Sequence, residues 1–498
     1  MNPVFQSYQE KMRQIADVGY AVAVLHWDQE TYMPKKGAEH RAQQIATLAG
    51  IAHDMSTSPE LGEILGKLAN DTTLDPWQAR NISESQQSYK KKGKLSTDFV
   101  RRQSLATSNA FQAWLKAREA NSYVIFEPQL AAMVALQREK AAMLGYEAHP
   151  YDALVDEFEP GMKTAALDVL FGDVRRQLVA FLRPIAECAP PDDTFLYRQY
   201  DKDKQWQFGI DLLKQMGYDF EAGRQDISTH PFTTNFSSLD VRVTTRINER
   251  NFNEMTWSCI HEGGHALYEQ GLNPEYYGLP TGEYLSLGIH ESQSRLWENN
   301  VGRSLFYWKA NYPSLQKLFP ESLSDVSAHQ FYAAINKVQP SLIRTNADEL
   351  TYHFHILIRF EIEKGLIEGS IDTRNLSEVW NTKYKEYLGI DVPSDKQGVL
   401  QDIHWSHGSF GYFPTYSLGS FYAAQFFRQA CKDMPTLIGD IENGNMLPLL
   451  AWLREKVHRF GKFYNSEQLC QEITGEPLRF SYFMDYAREK YGNLYGIV

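Results

Sequence analysis

Apolar side chains recur three and four positions apart along most of this 498-residue chain. That spacing places them on one face of an α-helix, so the pattern predicts a mainly α-helical protein. The predicted helices cover approximately residues 4–32, 36–54, 99–121, 126–144, 162–184, 203–217, 325–338, 346–368, 375–388, 417–433, 446–460 and 479–491. No fixed-period repeat and no low-complexity linker interrupts them, which favours one large helical unit over a string of separate domains.

One stretch has a period of two instead. Between Val241 and Ile247, β-branched residues alternate with polar ones, which is typical of a β-strand. A short polar turn at residues 237–238 joins this strand to the preceding segment, residues 230–236. The pattern predicts a β-hairpin directly before the next helix.

The helix after the hairpin begins near Asn251 or Asn253, either of which can cap it, and ends at Gly271. His261 and His265 lie four positions apart on this helix. Four helical steps return nearly to the same face, so both imidazoles can bind one metal ion.

Glu262 completes the sequence His-Glu-x-x-His. A carboxylate at this position is placed to take a proton from water that a metal ion activates. The two intervening residues are Gly263 and Gly264, each of which costs about 1 kcal/mol in a helix relative to alanine. Their presence indicates that either a packed neighbour or a substrate chain closely approaches the helix backbone.

A catalytic zinc ion takes three protein ligands and leaves one position open. A further helix is predicted over residues 285–298, and Glu291 on that helix is our first choice for the third ligand. Glu298 and Glu283 are the alternatives. Glu269 is too close in sequence to fold back easily onto the same ion.

Composition excludes some classes of partner. The chain has 50 basic and 62 acidic residues, and the densest basic run, residues 90–94, is best explained as a solvated helix end or loop, so nucleic acid is not an expected partner. The four cysteines, Cys188, Cys259, Cys431 and Cys470, are too widely spaced to suggest a disulfide framework or a thiolate metal site. Because no apolar run resembles a signal peptide or a membrane span, we expect a cytoplasmic protein with no membrane partner.

The hairpin and the metal-binding helix belong to a longer series of motifs. In chain order these are residues 27–34 (WDQETYMP), 230–232 (HPF), 240–244 (DVRVT), 261–265 (HEGGH), 290–293 (HESQ), 343–348 (IRTNAD) and 398–405 (GVLQDIHW). Through this series the chain resembles the carboxypeptidase Taq family of zinc metallocarboxypeptidases. The six motifs from HPF onward follow the family's order without a departure.

The resemblance implies a mostly helical fold with a deep, narrow substrate groove and a small β-hairpin or sheet beside the zinc-binding helix. We expect a single catalytic domain over residues 1–498, with two lobes flanking the groove as its subdivision. The resemblance implies His261, His265 and Glu291 as metal ligands and Glu262 as general base. It also implies release of C-terminal residues with broad specificity, a homodimer, and one Zn²⁺ per chain, with Co²⁺ accepted in some members.

A carboxypeptidase must bind a free α-carboxylate, and an arginine suits this task because its guanidinium forks onto two oxygens. Arg344 is our first choice, since it lies in a family motif. The alternative for Arg344 is an ion pair with Asp348, four residues on. Arg242 and Arg246, on the polar face of the hairpin, are the other candidates.

A donor besides the metal must stabilise the tetrahedral intermediate. His404 and Tyr416 are the candidates, by their position in the last motif and just after it, and His407 can substitute. His230 can bind the substrate backbone or close the hairpin turn.

Zinc-bound histidines usually donate their second ring N–H to a carboxylate or carbonyl, for which Asp348 and Glu298 are candidates. Two other functions compete with the carboxypeptidase. One is a helical zinc oligoendopeptidase that cuts within a peptide, and the other is a non-catalytic helical scaffold that binds a structural metal. Glu262 argues against the scaffold, because a structural site needs no base beside an open position.

Overall fold

The computed structural model describes residues 2–497. Its α-helices are α1 (Pro3–Thr31), α2 (Ala38–Ser56), α3 (Pro59–Leu68), α4 (Pro76–Lys94), α5 (Thr97–Ala120), α6 (Glu127–Leu144), α7 (Pro150–Val155), α8 (Thr164–Ala186), α9 (Lys202–Met216), α10 (Phe252–Gln270), α11 (Leu287–Arg295), α12 (Leu305–Leu318), α13 (Pro320–Leu323), α14 (Ala328–Ile335), α15 (Tyr352–Glu368), α16 (Leu376–Leu388), α17 (Pro414–Asp433), α18 (Leu437–Glu442), α19 (Leu447–Lys456), α20 (Ser466–Thr474) and α21 (Phe480–Tyr495). A π-helical segment, Leu296–Gly302, continues α11. The strands are β1 (Gly223–Ile227), β2 (Thr233–Ser237) and β3 (Asp240–Thr245).

Helices account for 71% of the residues and strands for 3%, which confirms the mainly α-helical prediction. The predicted hairpin corresponds to β2 and β3, which pair antiparallel. The sheet has a third strand, β1, which pairs parallel to β3. The periodicity did not indicate this strand, because its buried positions hold the polar residues Gln225 and Asp226. None of the helices in residues 2–497 is long and apolar enough to cross a membrane.

Helix α4 lacks the apolar periodicity of its neighbours for a physical reason. Two of its buried positions hold Asn81 and Ser85. The Asn81 amide donates to the Thr281 hydroxyl at 2.9 Å, and the Ser85 hydroxyl lies 2.8 Å from that of Tyr8. Because these polar groups are paired inside the protein, they occupy positions that a periodicity argument reserves for apolar side chains.

Three predicted helices are shorter than expected. The helix predicted from residue 346 begins at Tyr352, because the Asp348 carboxylate accepts the backbone N–H groups of Leu350 and Thr351 and holds them in a preceding turn. The helix predicted over 446–460 ends at residue 456, before Gly461, whose φ is 46°. The helix predicted over 325–338 spans only residues 328–335.

The chain forms two compact units, each built from three separate stretches. The first contains the chain up to residue 92 together with 191–335 and 422–478, and the second contains 93–190, 336–421 and the chain from residue 479 onward. The single catalytic domain with a groove stays a prediction.

Within the first unit, α10 is the central element. It packs against α9, α11, β2 and β3, and most of its residues are buried. Its N-cap is Asn251, whose side chain accepts the backbone N–H of Asn253, and its C-cap is Gly271, as predicted.

Within the second unit, α15 is the central element. It packs against α6, α7, α8 and α16. Its buried positions include four ionisable residues, all 0% exposed, namely His353, His355, Arg359 and Glu363.

The two glycines in the middle of α10 are explained by packed neighbours. A Cβ on Gly264 would lie 2.7 Å from both the carbonyl oxygen of Gln293 and the Cα of Ser294, which belong to the backbone of α11. A Cβ on Gly263 would lie 2.8 Å from Leu213 on α9. Of the two explanations that the sequence allows, the structure therefore supports the packed neighbour.

We expect Gly264→Ala to lower the free energy of unfolding by about 1–3 kcal/mol, because the added methyl group meets backbone that cannot yield easily. Gly50→Ala is the matched control, since Gly50 is also within a helix but a Cβ there meets nothing within 4 Å. That variant should be neutral or up to about 1 kcal/mol more stable. Urea unfolding of both variants checks this, and equal midpoints would contradict it.

Candidate active site

Three potential metal ligands converge in the first unit. His261 and His265 come from α10 and Glu291 from α11. One ligand atom from each lies within 4.8 Å of the other two, and the Glu291 carboxylate is 3.7 Å from His261 Nε2 and 3.5 Å from His265 Nε2. Among residues 2–497, these are the three that could hold one metal ion together.

The second nitrogen of each imidazole is already bound. His261 Nδ1 lies 2.9 Å from the Glu298 carboxylate, and His265 Nδ1 lies 3.1 Å from the carbonyl oxygen of His290. A carbonyl only accepts, so His265 carries its proton on Nδ1 and presents the Nε2 lone pair towards Glu291. Two such imidazoles and a carboxylate are a donor set that suits zinc, so the residues present fit the ion that the sequence predicts.

Two arginines surround the carboxylates of the site. Arg295 donates to Glu291 at 2.6 Å and lies 3.4 Å from Glu298, and Arg303 donates to Glu298 at 3.0 Å. Burial alone would raise the pKa of both glutamates. Arg295 and the two histidines outweigh burial at Glu291, and Arg295, His261 and Arg303 outweigh it at Glu298. Each pKa therefore lies well below its ordinary value. Both carboxylates are therefore anionic, which a cation site requires.

The Glu262 side chain is buried and is fixed by β2. The Thr233 hydroxyl donates to Glu262 Oε2 at 2.7 Å. Burial raises the pKa of Glu262, while the adjacent His261 and the Thr233 hydrogen bond lower it in part. The small sheet thus orients the predicted general base.

Other glutamates considered for the metal have different partners. Glu269 accepts from Asn235 at 2.7 Å and lies 2.9 Å from His290 Nε2, and the His290 ring stacks on His265 with centroids 4.4 Å apart. Glu283 pairs with Lys462 at 2.5 Å. Glu269 thus supports the site through His290, whereas Glu283 lies away from it.

Glu298 and Asp348 are the two candidates to accept the second ring N–H of a metal-binding histidine. Of these, Glu298 lies against His261. Asp348 instead accepts hydrogen bonds from Leu350 and Thr351 of its own turn, which is a correction to its proposed role.

A second polar cluster lies within the second unit. Arg344, only 6% exposed, donates from Nε and one terminal nitrogen to Asp402 Oδ1 at 3.0 and 2.9 Å, and from the other to the Tyr352 hydroxyl at 3.1 Å. Its ion-pair partner is therefore Asp402 and not Asp348.

His404 and Tyr416 belong to the same cluster. His404 Nε2 lies 3.1 Å from the Tyr416 hydroxyl, and the Arg344 guanidinium lies 4.8 Å from the Tyr416 ring centroid. Burial lowers the pKa of His404 to about 3, so its imidazole is neutral at neutral pH. The structure thus brings together three residues that the sequence proposes separately.

Arg242 is tied to its own strand. It makes two 2.9 Å hydrogen bonds to Asp240, and its guanidinium lies 4.4 Å from the Trp27 ring centroid and 4.8 Å from that of Phe236. These contacts connect two of the sequence motifs, 27–34 and 240–244.

The remaining candidates are more exposed. Arg246 pairs with Glu254 at the start of α10, and His407 is exposed with its ring centroid 5.5 Å from that of Phe111. His230 is also exposed. Substrate contacts by these residues stay predictions.

Sequence reasoning missed four side chains of these clusters, namely Thr233, Arg295, Arg303 and Arg359. The spacing of Glu291 and Arg295, four apart on a predicted helix, is a signal that could have found one of them. Thr233 and Arg359 have no local signal, because Glu262 and Asp402 lie 29 and 43 positions away from them. Arg303 lies five positions after Glu298, which is outside the three- and four-residue spacings of paired side chains on a helix.

Comparison with known proteins gives consistent matches over the whole chain. The sequence matches the Carboxypeptidase Taq (M32) metallopeptidase family over residues 7–491. It is 41% identical over 506 residues to thermostable carboxypeptidase 1 of Thermus thermophilus, covering 99% of both chains, and 37% identical over 494 residues to carboxypeptidase 1 of Bacillus subtilis, covering 98% of both. The crystal structure of the M32 carboxypeptidase from Deinococcus radiodurans R1 superposes with a TM-score of 0.97 at 37% identity, covering 99% of this chain and 100% of that one.

The chain therefore belongs to the carboxypeptidase Taq (M32) family of metallopeptidases, which confirms the resemblance carried by its motifs. It is a metallocarboxypeptidase, an exopeptidase that acts at the C-terminus.

We expect Glu298→Gln to weaken zinc affinity roughly 10- to 100-fold, because the neutral amide no longer holds His261 as a charged acceptor. Competition with a chromogenic chelator measures this affinity. Glu254→Gln, which removes a half-buried carboxylate at the start of α10, is the matched control and should leave affinity unchanged. An unaltered zinc affinity in Glu298→Gln would show that this contact does not support the site.

Proposed function

We propose that this enzyme removes C-terminal residues from peptides with broad specificity, using one Zn²⁺ held by His261, His265 and Glu291. The observation that carries the proposal is the convergence of these three side chains, with both Nδ1 atoms already bound and the Glu262 carboxylate next to His261 in sequence. Two nitrogens and one oxygen leave a position for water or substrate.

Glu262 is the proposed general base. A zinc ion, when bound, supplies positive charge that acidifies water and polarises the scissile carbonyl. Thr233 donates to Oε2 of Glu262 and so orients the carboxylate, which takes the proton from the attacking water. Glu262 then delivers that proton to the leaving amine, which restores the carboxylate.

Arg344 is the proposed binding site for the substrate α-carboxylate, with Arg242 and His230 as further substrate contacts. Support comes from the burial of Arg344, which strengthens a charge-assisted hydrogen bond by excluding water. His404 and Tyr416 are the proposed donors to the tetrahedral intermediate. Their hydrogen bond fixes both side chains, and the neutral imidazole of His404 keeps one N–H that can donate.

The remaining parts of the proposal have less specific support. Acceptance of Co²⁺ and a homodimer rest on the family resemblance. A cytoplasmic location agrees with the wide spacing of the four cysteines, and the acidic balance of the chain argues against nucleic acid as a partner.

Incubation with a peptide that has a blocked N-terminus and a free C-terminus should give sequential loss of C-terminal residues. Mass spectrometry of the products measures this loss. The same peptide with a C-terminal amide should resist, because Arg344 would find no carboxylate. Removal of the metal by a chelator should abolish activity and added Zn²⁺ should restore it. Cuts inside the peptide would instead favour the oligoendopeptidase.

We expect Glu262→Gln to lower kcat by about 10²- to 10⁴-fold, because the amide cannot accept the proton. Its zinc content, measured by elemental analysis, should equal that of the unaltered protein, since Glu262 is not a proposed ligand. Glu254→Gln on the same helix again serves as control. Full activity in Glu262→Gln would rule out its role as base.

A further inference from the structure

Three ionised side chains form a largely buried group in the second unit, and the proposed function gives a role to only one of them, Arg344. Asp402 lies between two arginines. Its Oδ1 accepts from Arg344 at 3.0 and 2.9 Å, and its Oδ2 accepts from Arg359 Nε at 2.7 Å. Arg359 is 0% exposed and comes from α15, whereas Arg344 lies in a short 3₁₀ turn, Arg344–Asn346.

Arg359 is held rigidly. Besides Asp402, it donates to the backbone carbonyl of His355 at 2.8 Å, and its guanidinium lies 4.6 Å from the centroid of the Trp380 ring. With Arg359 fixed in this way, the Asp402 carboxylate is fixed as well. Asp402 in turn determines the orientation of the Arg344 guanidinium.

The charges of this group do not balance. Two guanidiniums share one carboxylate, and His404 is neutral. Glu363, one turn further along α15, forms no ion pair with either arginine and gives its oxygens instead to Tyr151, Trp405 and the backbone N–H of Gly411. Burying a second positive charge beside one carboxylate is costly, and an ion pair with Asp402 alone would need only one of the two arginines.

The hydrogen bonds of Arg344 leave a defined edge available. A guanidinium has five N–H donors. Asp402 takes two on the Nε side and Tyr352 takes one, so one donor on each terminal nitrogen has no partner among the described residues. A guanidinium needs one such donor on each terminal nitrogen to bind both oxygens of a carboxylate end-on.

We propose that Arg359 is a positioning residue for carboxylate recognition, acting through Asp402 to orient Arg344 and to supply the excess positive charge. Asp402 alone would neutralise Arg344 and weaken its attraction for an anion. Arg359 offsets that charge and keeps Asp402 in place, so Arg344 presents a charged, oriented fork. The inference rests on the proposed function in one respect, the assignment of Arg344 as the carboxylate-binding residue.

The test compares two inhibitors that differ only at the C-terminus. Both are peptides with a non-hydrolysable last bond, one as the free acid and one as the amide, and the inhibition constant Ki of each is measured on the zinc-loaded enzyme. Arg359→Gln should raise the Ki of the free-acid inhibitor roughly tenfold or more, the size of effect expected when a binding group loses its orientation. The Ki of the amide inhibitor should stay unchanged. Damage to the fold or to the metal site would weaken both equally.

Two further variants sharpen the result. Arg359→Lys keeps the charge and one hydrogen bond to Asp402, so it should recover most of the preference for the acid. Lys140→Met is the matched control, since it removes another buried cation of the same unit, paired with Glu157 at 2.7 Å, and should change neither constant.

The outcomes separate the inference from the proposed function. If Arg344→Met leaves the ratio of the two constants unchanged, Arg344 does not bind the carboxylate and both ideas fail. If Arg344→Met abolishes the preference but Arg359→Gln does not, only the role of Arg359 is overturned. Should Arg359→Gln not fold, Arg359→Met, which fills more of the same space, replaces it with the same expected loss.

Discussion

Helices α10 and α11 meet at Gly264, where the backbone of one lies against the backbone of the other at a distance that leaves no room for a Cβ. This approach brings Glu291 to the two histidines of α10 and lets the carbonyl of His290 accept from His265. A larger residue at Gly264 would push apart the elements that supply the ligands. The glycine lowers the stability of α10 relative to alanine, but it permits the close packing that brings the three potential metal ligands together.

Arginines perform different tasks in the two polar clusters. In the first unit, Arg295 and Arg303 keep Glu291 and Glu298 ionised, and the two cations balance the two anions, so the site can receive a metal ion beside an already anionic ligand. In the second unit, two arginines share only Asp402. The same side-chain types therefore prepare one site for a cation and leave the other with more positive than negative side chains.

Local sequence was sufficient for what local geometry determines. The four-residue spacing of His261 and His265 and the alternation in β3 predict the metal-binding helix and the hairpin, since each depends on one element alone. It was insufficient where partners are distant in the chain. The pairing of Arg344 with Asp402 spans 58 positions, and the polar interior of α4 depends on groups such as Thr281, 200 positions from Asn81, so neither leaves a local pattern.

The sequence motifs combine chemistry with architecture, and the last one illustrates how. Within residues 398–405, Asp402 binds the Arg344 side chain, while the Gln401 side chain accepts the Arg344 backbone N–H at 3.0 Å. One short segment thus fixes both the backbone and the guanidinium of the same arginine, and His404 two residues on contributes the neutral imidazole. An arginine that is fixed at both its backbone and its guanidinium loses little conformational freedom when an anion binds. More of the interaction energy is then available for binding. In the proposed role of Arg344, the geometry that binds the carboxylate is therefore fixed before the substrate arrives.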